Sequence, residues 1–195
     1  MKILSIIFAI IILSANSYKE EITKFQDELN KEFANPETSP LTKEDLAKFN
    51  GLSFYEIDES YNIEAELILN KTPKEFGMKT TTDRRPTYIK YGTARFTLQG
   101  KEMEIGIYKN IELSKKEQYK DYLFMLFTDK TSGITSYAGG RYLDLHIPKE
   151  GEKLHIDFNK AYNPYCSYNH RYSCPIPSND DYLDMEIKAG VMKFH

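Results

Sequence analysis

The stretch GTARFTLQGKEMEIGI, residues 92–107, contains the clearest structural signal in the chain. Apolar residues alternate with polar ones on both sides of Gly100 and Lys101, which is typical of strands that bury one face each. The glycine and lysine at the midpoint predict a tight turn. Residues 92–107 therefore predict a β-hairpin, and with it an antiparallel sheet.

Other segments extend this sheet in both directions. The apolar run from Tyr122 to Phe127 has the length of a strand and predicts burial of both of its faces. No strand–helix–strand rhythm of a parallel sheet is seen. We expect a mainly β fold, a single antiparallel β-barrel-like or sandwich domain, and periodicity does not choose between the two. The further strand segments are 63–69, 142–147, 154–158 (after a turn at 149–151) and 183–187.

Helical spacing is confined to the first fifty residues, so we expect one or two N-terminal helices. A second short helix is predicted near Thr42, because Thr42 and Asp45 have the spacing of a capping box, with Asn50-Gly51 as its end. Ser39-Pro40 is an alternative start. The first helix is expected to end at Pro36. Its apolar stripe consists of Tyr18, Ile22, Phe25, Leu29 and Phe33.

The first seventeen residues have the composition of a secretory signal. Lys2 precedes an apolar run from Ile3 to Leu13, and small residues follow up to Ser17. The run is shorter than the about 20 residues of a spanning helix. We expect residues 1–17 to be a signal peptide cleaved before Tyr18, and residues 18–195 to form a single mostly β domain. The predicted location is exported, periplasmic or extracellular, with no membrane span after removal of the signal.

The composition excludes several classes of function. The chain has 26 basic and 29 acidic residues, a formal charge of −3, which lacks the basic excess of nucleic-acid-binding proteins. Nucleophile elbows, phosphate-binding loops and H-E-x-x-H zinc motifs are absent from the sequence. We therefore expect no nucleic-acid partner and no cofactor, and the sequence contains no signal for an oligomeric state.

Arg141 is the first candidate binding residue. It follows Gly139-Gly140, whose backbone N–H groups and the guanidinium together suit a carboxylate or phosphate group. The alternative is an ion pair from Arg141 to Asp144 or Asp157 that joins two strands. Tyr137, Tyr142 and Tyr162 would supply flat contact surface for the ligand.

Asp144 and Asp157 are the candidate catalytic residues. Carboxylates held close together can act as acid and base, with Asn159 or Asn163 orienting a substrate. The alternative is that these side chains satisfy backbone donors in the irregular segment around Asn163.

Cys166 and Cys174 are the only two cysteines. In an exported protein, an even number of cysteines predicts a disulfide. Cys166, His170 and Cys174 also have three residues between successive members, and His146 and His155 lie on predicted neighbouring strands, but this is not a standard zinc spacing. We expect the disulfide and no metal; free thiols are the third alternative.

Two long stretches make the chain recognisable: FTDKTSGITSYAGGRYLD (127–144), and DFNKAYNPYC (157–166) followed by CPIP (174–177). With these motifs the chain resembles the domain of unknown function 1684 family, an uncharacterised prokaryotic family. The resemblance covers nearly all of residues 18–195 and implies no reaction. It implies that the following residues belong to the family pattern: Arg141, Asp144, Asp157, Asn159, Tyr162, Asn163, Cys166 and Cys174.

Three hypotheses for function follow. The first is an exported binding module for a small polar or anionic ligand, centred on Arg141. The second is an envelope enzyme that uses Asp144 and Asp157 as acid–base carboxylates. The third is a structural accessory protein whose polar motifs only build the fold.

Overall fold

A computed structural model describes residues 2–195, with side chains described from Ser17 onward. Two helices precede the sheet, α1 (Lys2–Ala34) and α2 (Lys43–Leu46). Helix α1 ends two residues before Pro36, as predicted. Thr42 caps α2, since its Oγ1 accepts from the backbone N–H of Asp45 at 3.1 Å. This helix is shorter than predicted. The predicted signal peptide, apart from Ser17, falls on residues whose side chains lie outside the described part.

Strands account for 34% of the chain and helix for 22%, which confirms a mainly β fold. Short 3₁₀ helices lie at Glu59–Tyr61, Leu113–Lys115, Glu117–Tyr119, Phe158–Lys160, Tyr165–Ser167 and Asn179–Asp181. The strands are β1 (Asn62–Leu69), β2 (Glu75–Gly77), β3 (Thr87–Leu98), β4 (Lys101–Asn110), β5 (Tyr122–Asp129), β6 (Arg141–His146), β7 (Leu154–Asp157) and β8 (Tyr182–Leu183).

The strands form one sheet in the order β6-β5-β4-β3-β1-β7, which curls into a nearly closed antiparallel barrel. Strand β2 pairs with β3, and β8 pairs with β5. Strands β6 and β7 lie at the two ends of this order. The two strands were predicted to be neighbours, and no pairing between them is seen in the described sheet. They approach each other across the seam of the barrel instead.

The predicted hairpin is formed by β3 and β4, with Leu98 paired with Lys101. The turn consists of Gln99 and Gly100, whose φ angles are 49° and 78°. Two successive positive φ angles match the right-handed twist of the flanking strands. The turn therefore lies one residue earlier than Gly100-Lys101.

Apolar side chains cover both faces of the sheet. Inward-facing residues such as Phe96, Phe127 and Phe158 form the main core inside the barrel. On the outer face of β3–β6, a second cluster contains Tyr88, Phe124, Leu126, Tyr142 and both cysteines. Both faces of β5 are thus buried, as its continuous apolar run predicted.

The C-terminal segment does not form the predicted strand over residues 183–187. Only Tyr182–Leu183 is a strand, and it runs parallel to β5. The backbone N–H of Ile187 donates to Oδ2 of Asp129 at 2.7 Å, and that of Met185 donates to the carbonyl of Leu183. These donors are used by a side chain and a tight turn, so they cannot form a strand ladder.

Candidate functional site

Arg141 lies inside the barrel with no exposed surface. Its Nη2 donates to the carbonyl of Ile187 at 2.7 Å and forms an ion pair with Asp129 at 3.4 Å, and its Nη1 donates to the carbonyl of Ala189. The guanidinium also lies over the ring of Phe127, at 5.1 Å from the centroid. Burial lowers the pKa of Arg141, and the charge of Asp129 opposes this effect. Arg141 thus ties the C-terminal segment to the barrel.

The ion-pair partner of Arg141 is Asp129, so the alternative that named Asp144 or Asp157 as its partner was wrong. At the anion site predicted at Gly139-Gly140, a backbone donor is already used within the protein. The N–H of Gly140 donates to the carbonyl of Tyr137 at 3.1 Å. A Cβ at Gly140 would lie 2.5 Å from the carbonyl oxygen of Phe127, and φ there is +88°. Gly140 therefore permits close packing before Arg141.

Asp129 anchors this cluster, and its role was not predicted from sequence. The carboxylate accepts from the hydroxyls of Thr131 at 2.8 Å and Ser132 at 3.1 Å, and from the N–H of Ile187 at 2.7 Å. The signal for it is local. An aspartate followed by Thr131 and Ser132 at the end of a buried strand is typical of a side chain that caps a turn.

Asp157 and Asn159 form a second enclosed cluster at the end of β7. The hydroxyl of Tyr18 donates to Oδ1 of Asp157 at 3.0 Å, and Nδ2 of Asn159 donates to the same oxygen at 3.0 Å. Asn159 also donates to the carbonyl of Asp58 at 2.8 Å. Burial raises the pKa of Tyr18, and the charge of Asp157 raises it further. The cluster fastens α1 to the barrel.

Asp144 differs from these residues because it is exposed on the outer face of β6. The hydroxyls of Tyr122 and Tyr162 each donate to its Oδ1 at 2.7 Å. Among the described residues, none bonds to its Oδ2. Burial, together with the charge of Asp144, raises the pKa of both tyrosines, which keeps their hydroxyls protonated.

Beside Asp144 lies a cavity of about 550 Å³, which we call the tyrosine cavity. It is a half-open cavity bordered by α1, the outer face of β5 and β6, and the segment 162–175. Its volume is in the range of small-molecule sites. The residues that line it include Phe25, Leu29, Glu32, Phe33, Tyr88, Tyr122, Phe124, Tyr142, Asp144, Lys160, Tyr162, Asn163, Tyr165, Tyr168, Tyr172 and Cys174.

Asn163 contributes an unpaired acceptor to this cavity. It is 1% exposed, and its Nδ2 donates to the carbonyl of Met192 at 2.8 Å. Its Oδ1 is buried without a hydrogen-bond partner in the described part of the chain. A buried polar atom without a partner costs about 1–3 kcal/mol, so its retention calls for a reason.

The structure therefore divides the predicted binding residues into two groups. Tyr162 and Asn163 line the tyrosine cavity together with Asp144, whereas Tyr137, Arg141 and Asn159 do not. The two candidate catalytic residues, Asp144 and Asp157, line a separate groove of about 560 Å³ at the barrel seam. Each of these carboxylates already accepts a hydrogen bond from a tyrosine hydroxyl.

Cys166 and Cys174 are buried neighbours at the edge of the tyrosine cavity, and they are not bonded to each other. The N–H of Cys166 lies 3.2 Å from Sγ of Cys174. The thiol of Cys174 lowers the pKa of Cys166 to about 7, whereas the pKa of Cys174 is raised. Burial, followed by the adjacent Cys166, raises the pKa of Tyr137.

Within the described residues, no three His, Cys, Asp or Glu side chains come close enough to hold a metal ion. His170 is exposed. His146 lies by Asp121, at 3.3 Å, and His155 by Asn62, at 2.5 Å. In the same part of the chain, no helix has both the length and the apolar character of a membrane span.

Comparison with known proteins places the chain in a family. The family described as "Protein of unknown function (DUF1684)" matches residues 47–192, so the chain belongs to it. This confirms the resemblance seen in the two C-terminal motifs. Among curated proteins, none matches the chain.

A solved structure has the same fold as this chain. The solution NMR structure of the uncharacterized protein from gene locus rrnAC0354 of Haloarcula marismortui is 30% identical to this chain. The match covers 92% of this chain and 96% of that one, with a TM-score of 0.69. The barrel is therefore shared across nearly the whole length of both proteins.

Proposed function

We propose that this member of the domain of unknown function 1684 family is a non-catalytic binding module for a small polar ligand, and that its site is the tyrosine cavity. The observation that carries the proposal is the position of Asn163. Its unpaired, buried Oδ1 belongs to a side chain that lines a cavity of about 550 Å³. A ligand that donates a hydrogen bond there removes the cost of the unpaired acceptor.

The cavity replaces Arg141 as the centre of the binding hypothesis. Arg141 is fully buried and bonded to Asp129, Ile187 and Ala189, so its guanidinium is not offered to solvent. Asp144, by contrast, is exposed and keeps one carboxylate oxygen free of described partners. Rigid aromatic walls with a few polar groups are typical of small-molecule sites.

The acid–base hypothesis has less support. Asp144 and Asp157 share the seam groove, but Asp157 is 4% exposed and accepts from both Tyr18 and Asn159. A carboxylate held in this way serves to fasten α1. The structural-accessory hypothesis accounts for the bonds of Arg141, Asp129 and Asp157, but it gives no reason for a cavity lined by Asn163 with its unpaired Oδ1; Nε of Arg141 and Oγ of Ser167 are also buried without a partner in the described part of the chain.

The test fills the cavity. Leu29 is half-buried and lines the cavity from α1, so a Leu29→Trp variant places a large ring in it. Glu28→Trp puts the same side chain on the exposed face of the helix, where Glu28 is 63% exposed. The two variants and the wild type are screened by thermal shift against a library of small polar metabolites.

We expect one class of compounds to raise the Tm of the wild type and of Glu28→Trp but not of Leu29→Trp. Because the chain contains no tryptophan, the new indole also reports on its own environment by fluorescence. If Leu29→Trp responds to the compounds as the wild type does, the site lies elsewhere and the proposal is wrong.

We infer that the protein works outside the cytoplasm, after removal of residues 1–17. Cleavage before Tyr18 keeps the hydrogen bonds that join Tyr18 to Asp157, Glu21 to Lys160 and Glu32 to Tyr165. Intact mass of protein recovered from the periplasm tests this. The mass of residues 18–195 supports the inference, and the mass of the full-length chain contradicts it.

We also propose that Cys166 and Cys174 form a disulfide in the exported protein. They are eight residues apart and in contact, and both line or adjoin the tyrosine cavity. An oxidising compartment converts such thiol pairs to disulfides. The bridge would hold the segment that forms one wall of the cavity.

A further inference from the structure

Four tyrosine hydroxyls of the tyrosine cavity donate to groups of the protein itself. The hydroxyls of Tyr122 and Tyr162 donate to Asp144, that of Tyr165 donates to Glu32 at 2.6 Å, and that of Tyr142 donates to the carbonyl of Pro175. A tyrosine hydroxyl has one proton, so these four groups have none left for a ligand. The cavity can offer them only as acceptors.

The hydroxyls of Tyr168 and Tyr172, which also line the cavity, donate to no described residue, and Tyr172 accepts from Nη2 of Arg171. Beside these two hydroxyls the cavity offers acceptors and aromatic faces. Oδ2 of Asp144 has no partner in the described part of the chain, and Oδ1 of Asn163 is buried and unpaired. The rings of Phe124, Tyr142 and Tyr162 stand edge to face, Phe124 to Tyr142 at 4.8 Å and Tyr142 to Tyr162 at 5.9 Å between centroids. Aromatic faces attract cations.

The charges around the cavity also favour a cationic ligand. Asp144 and Glu32 are its acidic lining residues, and Lys160 is the basic one. Nζ of Lys160 is already paired with Oε1 of Glu21 at 2.7 Å. The cavity therefore presents uncompensated negative charge, which disfavours an anion.

Resting on the proposed function, we propose that the ligand carries a primary ammonium group next to an apolar body. The ammonium donates to Oδ2 of Asp144, and the apolar body lies against the aromatic walls. A charge-assisted hydrogen bond from its N–H to the open oxygen of Asp144 is of the strong kind. This differs from the anionic ligand predicted from Arg141, whose charge is neutralised inside the barrel.

The experiment compares three probes of similar size by calorimetry near neutral pH: 2-phenylethylammonium, 2-phenylethanol and 3-phenylpropionate. We expect the ammonium to bind the wild type most tightly and the carboxylate least. Asp144→Asn keeps an oxygen for the hydroxyls of Tyr122 and Tyr162 but removes the charge. It should weaken the ammonium about tenfold and leave the alcohol unchanged.

Asp121→Asn is the matched control, because Asp121 is exposed and does not line the tyrosine cavity. It removes the same net charge and should alter neither affinity. If the alcohol binds the wild type as tightly as the ammonium, or if Asp144→Asn leaves the ammonium unchanged, the inference is overturned while the cavity remains a binding site. If none of the probes binds at millimolar concentration, the inference is also overturned, whereas the proposed function is judged by the Leu29→Trp screen.

Discussion

Asp129 and Asp144 lie on adjacent strands of one barrel, yet their surroundings are opposite. Asp129 is 3% exposed, and the chain itself supplies its donors, including Arg141 and Thr131. Asp144 is exposed and receives two tyrosine hydroxyls on one oxygen. The comparison shows that two aspartates of the same motif can have different roles. A carboxylate saturated by its own chain builds the fold, and one left partly open beside a cavity is suited to a ligand.

Removing the partner of Asp129 should have the largest effect. Arg141→Ala leaves a buried carboxylate without its counter-charge, so we expect a loss of about 3–5 kcal/mol in the free energy of unfolding. Urea denaturation measures it. Arg95→Ala is the control, because the Arg95–Glu104 pair is exposed and should scarcely contribute. An unchanged urea midpoint in Arg141→Ala would show that the buried cluster is not structural.

The close packing before Arg141 should be the next most sensitive. Gly140→Ala combines a left-handed backbone with a Cβ 2.5 Å from the carbonyl of Phe127, and we expect a loss of about 3 kcal/mol. Gly151 has a similar φ of +83° with nothing near its Cβ. Gly151→Ala should therefore cost only about 1 kcal/mol in the same denaturation experiment. Equal losses in the two variants would refute the packing argument.

The cysteine pair should contribute a smaller amount, and only when oxidised. Closing the loop between Cys166 and Cys174 stabilises the protein by about 2–3 kcal/mol on the chain-entropy model. We expect the exported protein to be two hydrogens lighter than its reduced form by intact mass, and to lose this stability on reduction. The double variant Cys166→Ser/Cys174→Ser should be insensitive to reductant. An exported protein with two free thiols would contradict the disulfide.

The hydroxyls around Asp144 should matter least for stability. Tyr162→Phe removes one of two donors to an exposed carboxylate, so we expect a loss of about 1 kcal/mol. Tyr182→Phe, at a ring that is 45% exposed, is the control and should be neutral. A loss in Tyr162→Phe as large as that in Arg141→Ala would mean that the two clusters are equivalent, against the comparison made above.

Local patterns predicted much of the fold. Alternation over residues 92–107 predicted the β3–β4 hairpin, and the apolar spacing from Tyr18 to Phe33 predicted α1. The segment 183–187 also alternates, but Ile187 donates to Asp129 rather than to a strand. This hydrogen bond depends on a side chain 58 residues away, so a local sequence pattern cannot predict it. The meeting of β6 and β7 across the seam, without strand pairing, has the same origin, because closure of the barrel is a property of the whole sheet.

The site was predictable in composition but not in arrangement. The motifs identified Arg141, Asp144 and Asn163 together, yet only the fold places Arg141 inside the barrel and the other two at the tyrosine cavity. Strand alternation predicts part of this arrangement, because Arg141 and Asp144 are three residues apart and therefore face opposite sides of β6. Tyr18 could not be assigned to Asp157, because 139 residues separate them.

The most direct test of the central claim measures stability and affinity in the same two variants, Arg141→Lys and Asp144→Asn. Each is unfolded in urea and titrated with 2-phenylethylammonium by calorimetry. The account predicts that Arg141→Lys lowers the free energy of unfolding but leaves the Kd of the folded protein unchanged. It predicts that Asp144→Asn weakens binding about tenfold with little change in stability. If Arg141→Lys abolishes binding while stability is kept, the ligand site is at Arg141 and the account is contradicted.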